Sequence, residues 1–388
     1  MHEDTIVAIA TPPGEGGLGV IRLSGPESRS IVAQIFRPLR PGPLRHYRLR
    51  YGKIVDPADN TPIDEALVTL MQAPHSFTRE DVVEISCHGG PLPLRRTLDL
   101  ALSAGARMAR PGEFTMRAFL NGRIDLSQAE ATLDVIRAQT DAGLALAQAQ
   151  LGGWLAREVR AARAALLECL AYVTVVVDFP EDEVDAQDIG PQLHAGLAAI
   201  ERMLAGADQG VIYRQGARVA LVGRPNVGKS SLLNALLRSD RAIVTPIPGT
   251  TRDTLEETAN LAGIPVVLID TAGIHASSDP VEQLGVERSR IALAGADLAL
   301  LVFDAGRGIS DDDRTIAALC VDRPTLLVWN KIDTLGPNAR LALDASAANL
   351  GLRRHLKTLA ISVYSGAGLD QLAAATAEAL LGGAPPAA

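Results

Sequence analysis

Residues 223–231 read GRPNVGKSS. The stretch fits G-x-x-x-x-G-K-[ST], a loop whose backbone N–H groups wrap the phosphates of a nucleotide. Before it, the apolar run ARVALVG predicts a buried strand; after it, SLLNALL predicts the start of a helix. Gly223 and Gly228 let the backbone approach the phosphates. Lys229 reaches the β- and γ-phosphates, and the Ser230 hydroxyl can ligate Mg²⁺. The helix N-terminus adds a dipole that favours anions. Asn226, Val227 and Ser231 complete the expected contacts of this loop with the nucleotide. A chance glycine-rich turn is the competing reading, and both flanks argue against it.

Composition sharpens the signal. The 388 residues contain only four lysines, Lys53, Lys229, Lys331 and Lys357, against many arginines. Two of those four sit in nucleotide motifs, where a slim ammonium does what a planar guanidinium does poorly. The length suggests two or three domains with ample core. A net charge of −8 argues against a broad electrostatic nucleic-acid footprint. Cys87, Cys169 and Cys320 are far apart and have no metal-ligand spacing. A reduced, cytoplasmic compartment fits best. The N-terminus has no basic segment followed by an apolar one, so no secretion signal is expected. The apolar run CLAYVTVVV at 169–177 is too short to cross a bilayer.

The chain reads as multidomain, α+β followed by α/β. Residues 1–118 alternate strand-like runs (TIVAIAT, GVIRLSG, EALVTLM, DVVEISC) with two helical stretches, ESRSIVAQIF and PLRRTLDLALSAG. Residues 119–215 are rich in Ala, Leu, Gln and Arg with helical periodicity. There Ser127-x-x-Glu130 predicts a capping box opening one long helix, and the acidic DFPEDEVD at 178–185 breaks the helices. Residues 216–382 alternate strands and helices, as in a mostly parallel sheet of a Ras-like P-loop GTPase domain, and 383–388 form a tail.

Motif order settles the nucleotide. Asp270, Thr271, Ala272 and Gly273 follow the strand IPVVLID, where Asp270 can hold Mg²⁺ through water and the Gly273 amide can meet the γ-phosphate. Asn330, Lys331, Ile332 and Asp333 follow TLLVWN. The Asp333 carboxylate can accept from the ring N–H and the exocyclic amine of guanine, a pair that adenine does not offer. Asn330 can bind the base edge while the Lys331 stem covers the ring. Ser362, Val363 and Tyr364 mark the second base-contacting loop, with Val363 where many GTPases have Ala. Between these motifs lies a loop of Thr245, Pro246, Ile247, Pro248, Gly249, Thr250 and Thr251. Within it Thr251 is the natural switch threonine for Mg²⁺. Ile274 stands where Ras-like proteins carry a water-orienting Gln, so another group must place the water. Glu282 and Glu287 follow it, each otherwise an ordinary solvated helix charge.

These residues resemble the MnmE (TrmE) family of tRNA-modification GTPases. TIVAIATPPGEGGLGVIRLSG, FTREDVVEISCHGGP, ARPGEFTMRAFLNGRIDLSQAEA and DFPEDEVD carry the resemblance, together with GTTRD and DTAGI, over nearly the whole chain. The resemblance implies a folate-binding, dimerising N-terminal domain, a helical domain and a G domain inserted in it. It implies a homodimer that assembles with an MnmG-type FAD protein as a heterotetramer. That assembly would modify carbon 5 of the tRNA wobble uridine to carboxymethylaminomethyl-type groups, with no membrane involved. Position by position, it implies K⁺ ligation by Asn226, Thr245, Ile247 and Thr250, and Mg²⁺ ligation by Ser230 and Thr251. It places the catalytic glutamate at Glu282, acting beside Lys229. It also implies contacts to 5-formyltetrahydrofolate or a related one-carbon folate at Arg22, Glu84 and Arg123, the last a Lys in most of the family. A carboxylate such as Glu84 can pair with the pterin N–H and amine groups, and an Arg with glutamyl carboxylates.

The family continues past the G domain with further helices and a C-x-G-K tail, which this sequence does not contain. The expectation is a helical domain missing its second half, with apolar faces exposed within 119–210 and self-association or proteolysis concentrated there. GTP hydrolysis is expected to persist. Two alternatives are a GTP- and folate-binding scaffold without modification activity, and an Era- or Der-like ribosome-assembly GTPase. The latter would carry a KH domain or a second P-loop, and neither pattern is visible.

Overall fold

The computed structural model describes residues 4–179, 185, 187–239, 257–270, 290, 293–335 and 350–382. The chain divides into two compact units, Met1–Thr132 and Leu133–Ala388. The first holds a seven-stranded sheet in the order β3-β4-β5-β6-β2-β1-β7. Its strands are β1 (Ile6–Ile9), β2 (Gly16–Ser24), β3 (Phe36–Pro38), β4 (Leu49–Val55), β5 (Pro62–Met71), β6 (Val82–Gly89) and β7 (Arg107–Met108). All pairings are antiparallel except β1 with β7. Helices α1 (Ser28–Ile35) and α2 (Pro91–Ser103) bury Ile31, Val32, Ile35, Leu94 and Leu98 against Ile21, Leu23, Val68, Val83 and Ile85 of the sheet. Burial of these alternating side chains is the main stabilising term here, ~1.5–3 kcal/mol for each large aliphatic. Helix α3 (Glu113–Leu120) follows.

The four strand-like runs of the sequence form β1, β2, β5 and β6, whereas β3, β4 and β7 lie outside them. Strand β4 is interrupted by Gly52, whose missing side chain makes room for the Phe36 ring and the Arg37 carbonyl of β3. A glycine inside a strand weakens the local β signal, and only the neighbouring strand explains it.

The helical stretch comprises α4 (Leu126–Arg137), α5 (Asp141–Leu151), α6 (Trp154–Asp178), α7 (Gly190–Ala205) and α8 (Ala207–Gln215). The expected single long helix is therefore broken. Thr140 caps α5 by accepting from the Gly143 N–H, and Gly153, at φ 77°, starts α6. The expected capping box is also displaced. Asp125 Oδ1 accepts from the Gln128 N–H at 2.9 Å while Gln128 Oε1 accepts from the Asp125 N–H at 2.9 Å. Ser127 instead donates its hydroxyl to Asp125 Oδ1 at 2.6 Å. The carboxylate, two residues earlier, takes the capping position.

Beyond α8 lies a six-stranded sheet in the order β13-β12-β11-β8-β10-β9. It is built from β8 (Ala217–Val222), β9 (Glu257–Leu261), β10 (Ile264–Asp270), β11 (Leu298–Asp304), β12 (Thr325–Asn330) and β13 (His355–Ala360). Every pairing is parallel except the β9–β10 edge, as the alternating pattern predicts. Helices α9 (Lys229–Ser239), α10 (Asp311–Ala318) and α11 (Leu369–Leu381) accompany it. Along β8, Val219 and Leu221 join one apolar cluster with α9 and α11, while Ala220 and Val222 join a second with α10. Both faces are covered, so the central strands read as unbroken apolar runs.

Candidate nucleotide site

Strands β8, β10, β11 and β12 end at one edge of the sheet, and their last residues carry the chemistry. The turn from β8 into α9 is the GRPNVGKSS loop. Gly223, at φ 152°, and Gly228, at φ 99°, occupy backbone conformations that L side chains rarely adopt. A side chain on Gly223 would also run into the Val302 carbonyl of β11, and one on Gly228 into the Asn330 amide. The glycines thus fit the loop to its protein neighbours as well as to a phosphate. Asn226 is left-handed at φ 65°, a conformation asparagine tolerates.

Lys229 opens α9 and is 7% exposed. Its ammonium donates to the Gly223 carbonyl at 2.7 Å and the Arg224 carbonyl at 2.8 Å. Burial pushes its pKa below the ordinary lysine value, while the Asp270 carboxylate acts in the opposite sense. Next in the chain, the Ser230 hydroxyl donates to Asp270 Oδ2 at 2.9 Å. The parallel register that sets Asp270 beside Leu221 brings this carboxylate to the first turn of α9. A hydroxyl and a carboxylate in contact are hard oxygen donors of the kind Mg²⁺ takes.

The base-side residues converge at the end of β12. The Asn330 amide donates to the Val227 carbonyl at 2.9 Å, and its carbonyl oxygen accepts from the Lys331 N–H at 2.8 Å and the Val363 N–H at 3.2 Å. One side chain therefore joins the phosphate loop to both base loops. The Ser362 hydroxyl donates to Asp333 Oδ1 at 2.5 Å, which fixes the carboxylate expected to read guanine. Tyr364 is 94% exposed. Thr245, Pro246, Ile247, Pro248, Gly249, Thr250, Thr251, Thr271, Ala272, Gly273 and Glu282 lie outside the described residues.

Asp304 is a further residue of this site, outside the nucleotide motifs. It ends the apolar run LALLVFD just as Asp270 ends IPVVLID, which is the signal that could have found it. It lies beside Asn330 in the parallel register and binds the Lys331 ammonium at 2.7 Å.

In the N-terminal unit, Arg22 and Glu84 are cross-strand neighbours of β2 and β6. The Arg22 guanidinium meets Glu84 Oε1 at 2.7–2.8 Å and lies 5.8 Å from the Phe114 ring centroid. Arg123 donates to the Ser76 carbonyl at 3.2 Å and stands 5.6 Å from the Phe77 ring centroid. Both Arg22 contacts fall on one carboxylate oxygen, and the two arginines each stand over an aromatic ring. That donor set suits a heteroaromatic ligand with a carboxylate tail.

A parallel sheet with a phosphate loop after its central strand, and an Asn-Lys-x-Asp segment at a neighbouring strand end, defines a P-loop GTPase. Residues 218–331 match the family described as 50S ribosome-binding GTPase, and residues 5–123 match GTP-binding protein TrmE N-terminus. The chain is 65% identical over 387 residues to the tRNA modification GTPase MnmE of Chloroflexus aurantiacus, covering 99% of this chain and 83% of that protein. It is 60% identical to the protein of that name from Roseiflexus castenholzii, over 100% of this chain and 84% of that one. For the Moorella thermoacetica protein the identity is 48%, over 99% and 83%. The chain belongs to the MnmE family of tRNA modification GTPases. Among the described residues, no helix is long and apolar enough to cross a membrane.

Proposed function

We propose that this chain hydrolyses GTP in a K⁺-stimulated reaction that serves modification of the tRNA wobble uridine, together with an MnmG-type flavin protein. One observation carries the reading: Asn330 ties the phosphate loop to both base loops, with Lys229, Ser230, Asp270 and Asp333 around it. Asp333 selects guanine, and Lys229 bears on the β- and γ-phosphates. Ser230 and Thr251 would hold Mg²⁺, which offsets charge on the phosphate oxygens. Asn226, Thr245, Ile247 and Thr250 would hold K⁺, placing positive charge where an arginine finger stands in other GTPases. Glu282 orients the attacking water that Ile274 cannot.

The relatives' name supports tRNA modification as the process served. The N-terminal unit would dimerise and bind a one-carbon folate through Arg22, Glu84 and Arg123. The test is GTP hydrolysis by the full chain in saturating Mg²⁺ with K⁺ or Na⁺, alongside Lys229→Ala and Glu282→Ala. The expected result is faster turnover in K⁺ than in Na⁺, and a loss of about 10²-fold or more in each variant. Wild-type turnover no faster than that of Lys229→Ala would remove the enzyme reading and leave a GTP- and folate-binding scaffold.

A further inference from the structure

The segment from the end of β11 to the first turn of α10, residues 304–313, is not part of the nucleotide motifs, yet it touches them twice. At its start Asp304 is 7% exposed and uses its two oxygens differently. Oδ1 accepts from the Gly306 N–H at 3.0 Å within its own turn, while Oδ2 accepts from the Lys331 ammonium at 2.7 Å. The same ammonium donates to the Asn226 carbonyl of the phosphate loop at 2.8 Å. At its end Asp313, 1% exposed, divides its oxygens in the same way. Oδ2 accepts from the Ser310 N–H and hydroxyl, each at 2.9 Å, closing the cap of α10. Oδ1 accepts from Arg224 Nε at 2.9 Å. Arg224 is the second residue of the phosphate loop, and its carbonyl holds Lys229.

We propose that residues 304–313 form a two-point clamp on the phosphate loop, in which Asp304 acts through Lys331 and Asp313 acts through Arg224 to set how long a guanine nucleotide stays bound. Asp304 and Asp313 are positioning residues that need not touch the nucleotide. The physical case is the desolvation each carboxylate has undergone. Burying a charge is offset only by close, well-directed partners, and in both cases the outward-facing partner belongs to the nucleotide site. Burial works to raise the Asp304 pKa, and the Lys331 and Gly306 hydrogen bonds overcome it, so the net shift is downward. Lys331 adds a second argument. Its backbone is left-handed at φ 65°, a conformation costly for a side chain that cannot bond locally. The tether from Nζ to Asp304 and Asn226 helps to hold it there. The clamp rests on the reading of Lys331 as a base-side residue.

The experiment is stopped-flow release of N-methylanthraniloyl-GDP from the full chain. Asp304→Asn keeps an oxygen for Gly306 and replaces the Lys331 acceptor with a donor. It is expected to speed release about tenfold, the scale of one hydrogen bond to a charged group. Asp304→Glu is expected to recover part of that, and the thermal midpoint of the nucleotide-free protein to move little. Lys331→Ala is expected to release at least as fast. The double variant Asp304→Asn/Lys331→Ala should be no faster than Lys331→Ala alone, because Asp304 acts through Lys331. Arg224→Ala leaves the Ser310 cap intact and is expected to accelerate release independently, multiplying the effect of Asp304→Asn. Fast release from Lys331→Ala with wild-type release from Asp304→Asn, or a multiplicative Asp304/Lys331 double variant, overturns the Asp304 arm. Wild-type release from Arg224→Ala overturns the other. Unchanged release from Lys331→Ala would instead sink the base-side reading of that residue. If Asp304→Asn does not fold, the Arg224→Ala arm decides whether the segment grips the loop.

Discussion

At the residue scale, the group proposed to discriminate between bases is Asp333. Its carboxylate is held by the Ser362 hydroxyl at 2.5 Å, which fixes its orientation. Guanine offers two N–H donors to that acceptor, whereas xanthine has an oxygen where guanine has its amine. Asp333→Asn turns half of the acceptor pair into a donor. We expect it to weaken GTP binding by about 3–4 kcal/mol, the loss of a charge-assisted pair plus an unsatisfied donor, and to strengthen binding of xanthosine triphosphate. Titration of both nucleotides against wild type and variant checks this; equal losses for both would show that Asp333 supports the loop without reading the base. Lys229, Ser230, Asp270, Asn330 and Asp333 were legible from sequence because each follows an apolar strand run at a spacing that phosphate and guanine chemistry demand. Asp304, Asp313 and Arg224 were not, because their roles depend on pairs such as Arg224–Asp313 that only the folded sheet brings within 2.9 Å.

At the element scale, α3 is tied to the sheet of its unit by charge. Arg117 is fully buried and meets Asp4 at 2.8 Å, Glu80 at 3.2 Å and Glu113 at 3.2 Å. Arg107 joins from β7, binding both Asp4 and Glu113 at 2.6 Å. The Arg107 hydrogen bonds lead in holding the Glu113 carboxyl down at about 2 against an ordinary 4.5; burial opposes them, and the Arg110 N–H and Arg117 assist. A carboxylate whose folded pKa is depressed stabilises fully above its unfolded value and loses that contribution as pH falls. Stability of this unit should therefore decline between about pH 4.5 and 2, by on the order of 2–3 kcal/mol from Glu113, and acid unfolding of Glu113→Gln should lack that step. Arg117→Met leaves three carboxylates without their shared cation and should cost about 3–5 kcal/mol in urea unfolding. A loss under 1 kcal/mol would mean that Arg107 alone suffices. None of this cluster was visible in the sequence, where Asp4 and Arg117 are separated by most of the unit. The cap of α4 was half visible: the right motif was read two residues late, because Ser127 and Asp125 both suit an N-cap and the carboxylate took the position.

At the scale of the molecule, the sheets and the helical stretch are organised differently. The sheets bury their apolar faces, whereas α6 and α7 leave much of theirs in water. These helices pair closely enough that a side chain on Gly196 would press on Leu166. Between them runs an apolar groove of about 490 Å³, lined by residues that include Leu166, Leu170, Ile200 and Leu204. Leu170 is 60% and Leu204 65% exposed, and Val173, Val175, Val176 and Val177 extend the apolar surface toward the end of α6. Helical periodicity made these elements legible, but periodicity marks the apolar residues without saying what covers them. Contiguous exposed apolar surface of this kind favours association, and the gain on removing it from water scales with the area removed. We therefore expect concentration-dependent self-association beyond any dimer, measurable by sedimentation velocity and strengthened by sulfate. Leu170→Glu with Leu204→Glu should suppress it, because each partner surface would then have to desolvate a carboxylate. The same variant should leave GTP turnover unchanged, since neither residue belongs to the nucleotide motifs. Identical sedimentation of wild type and variant across the concentration range would show that this groove drives no association.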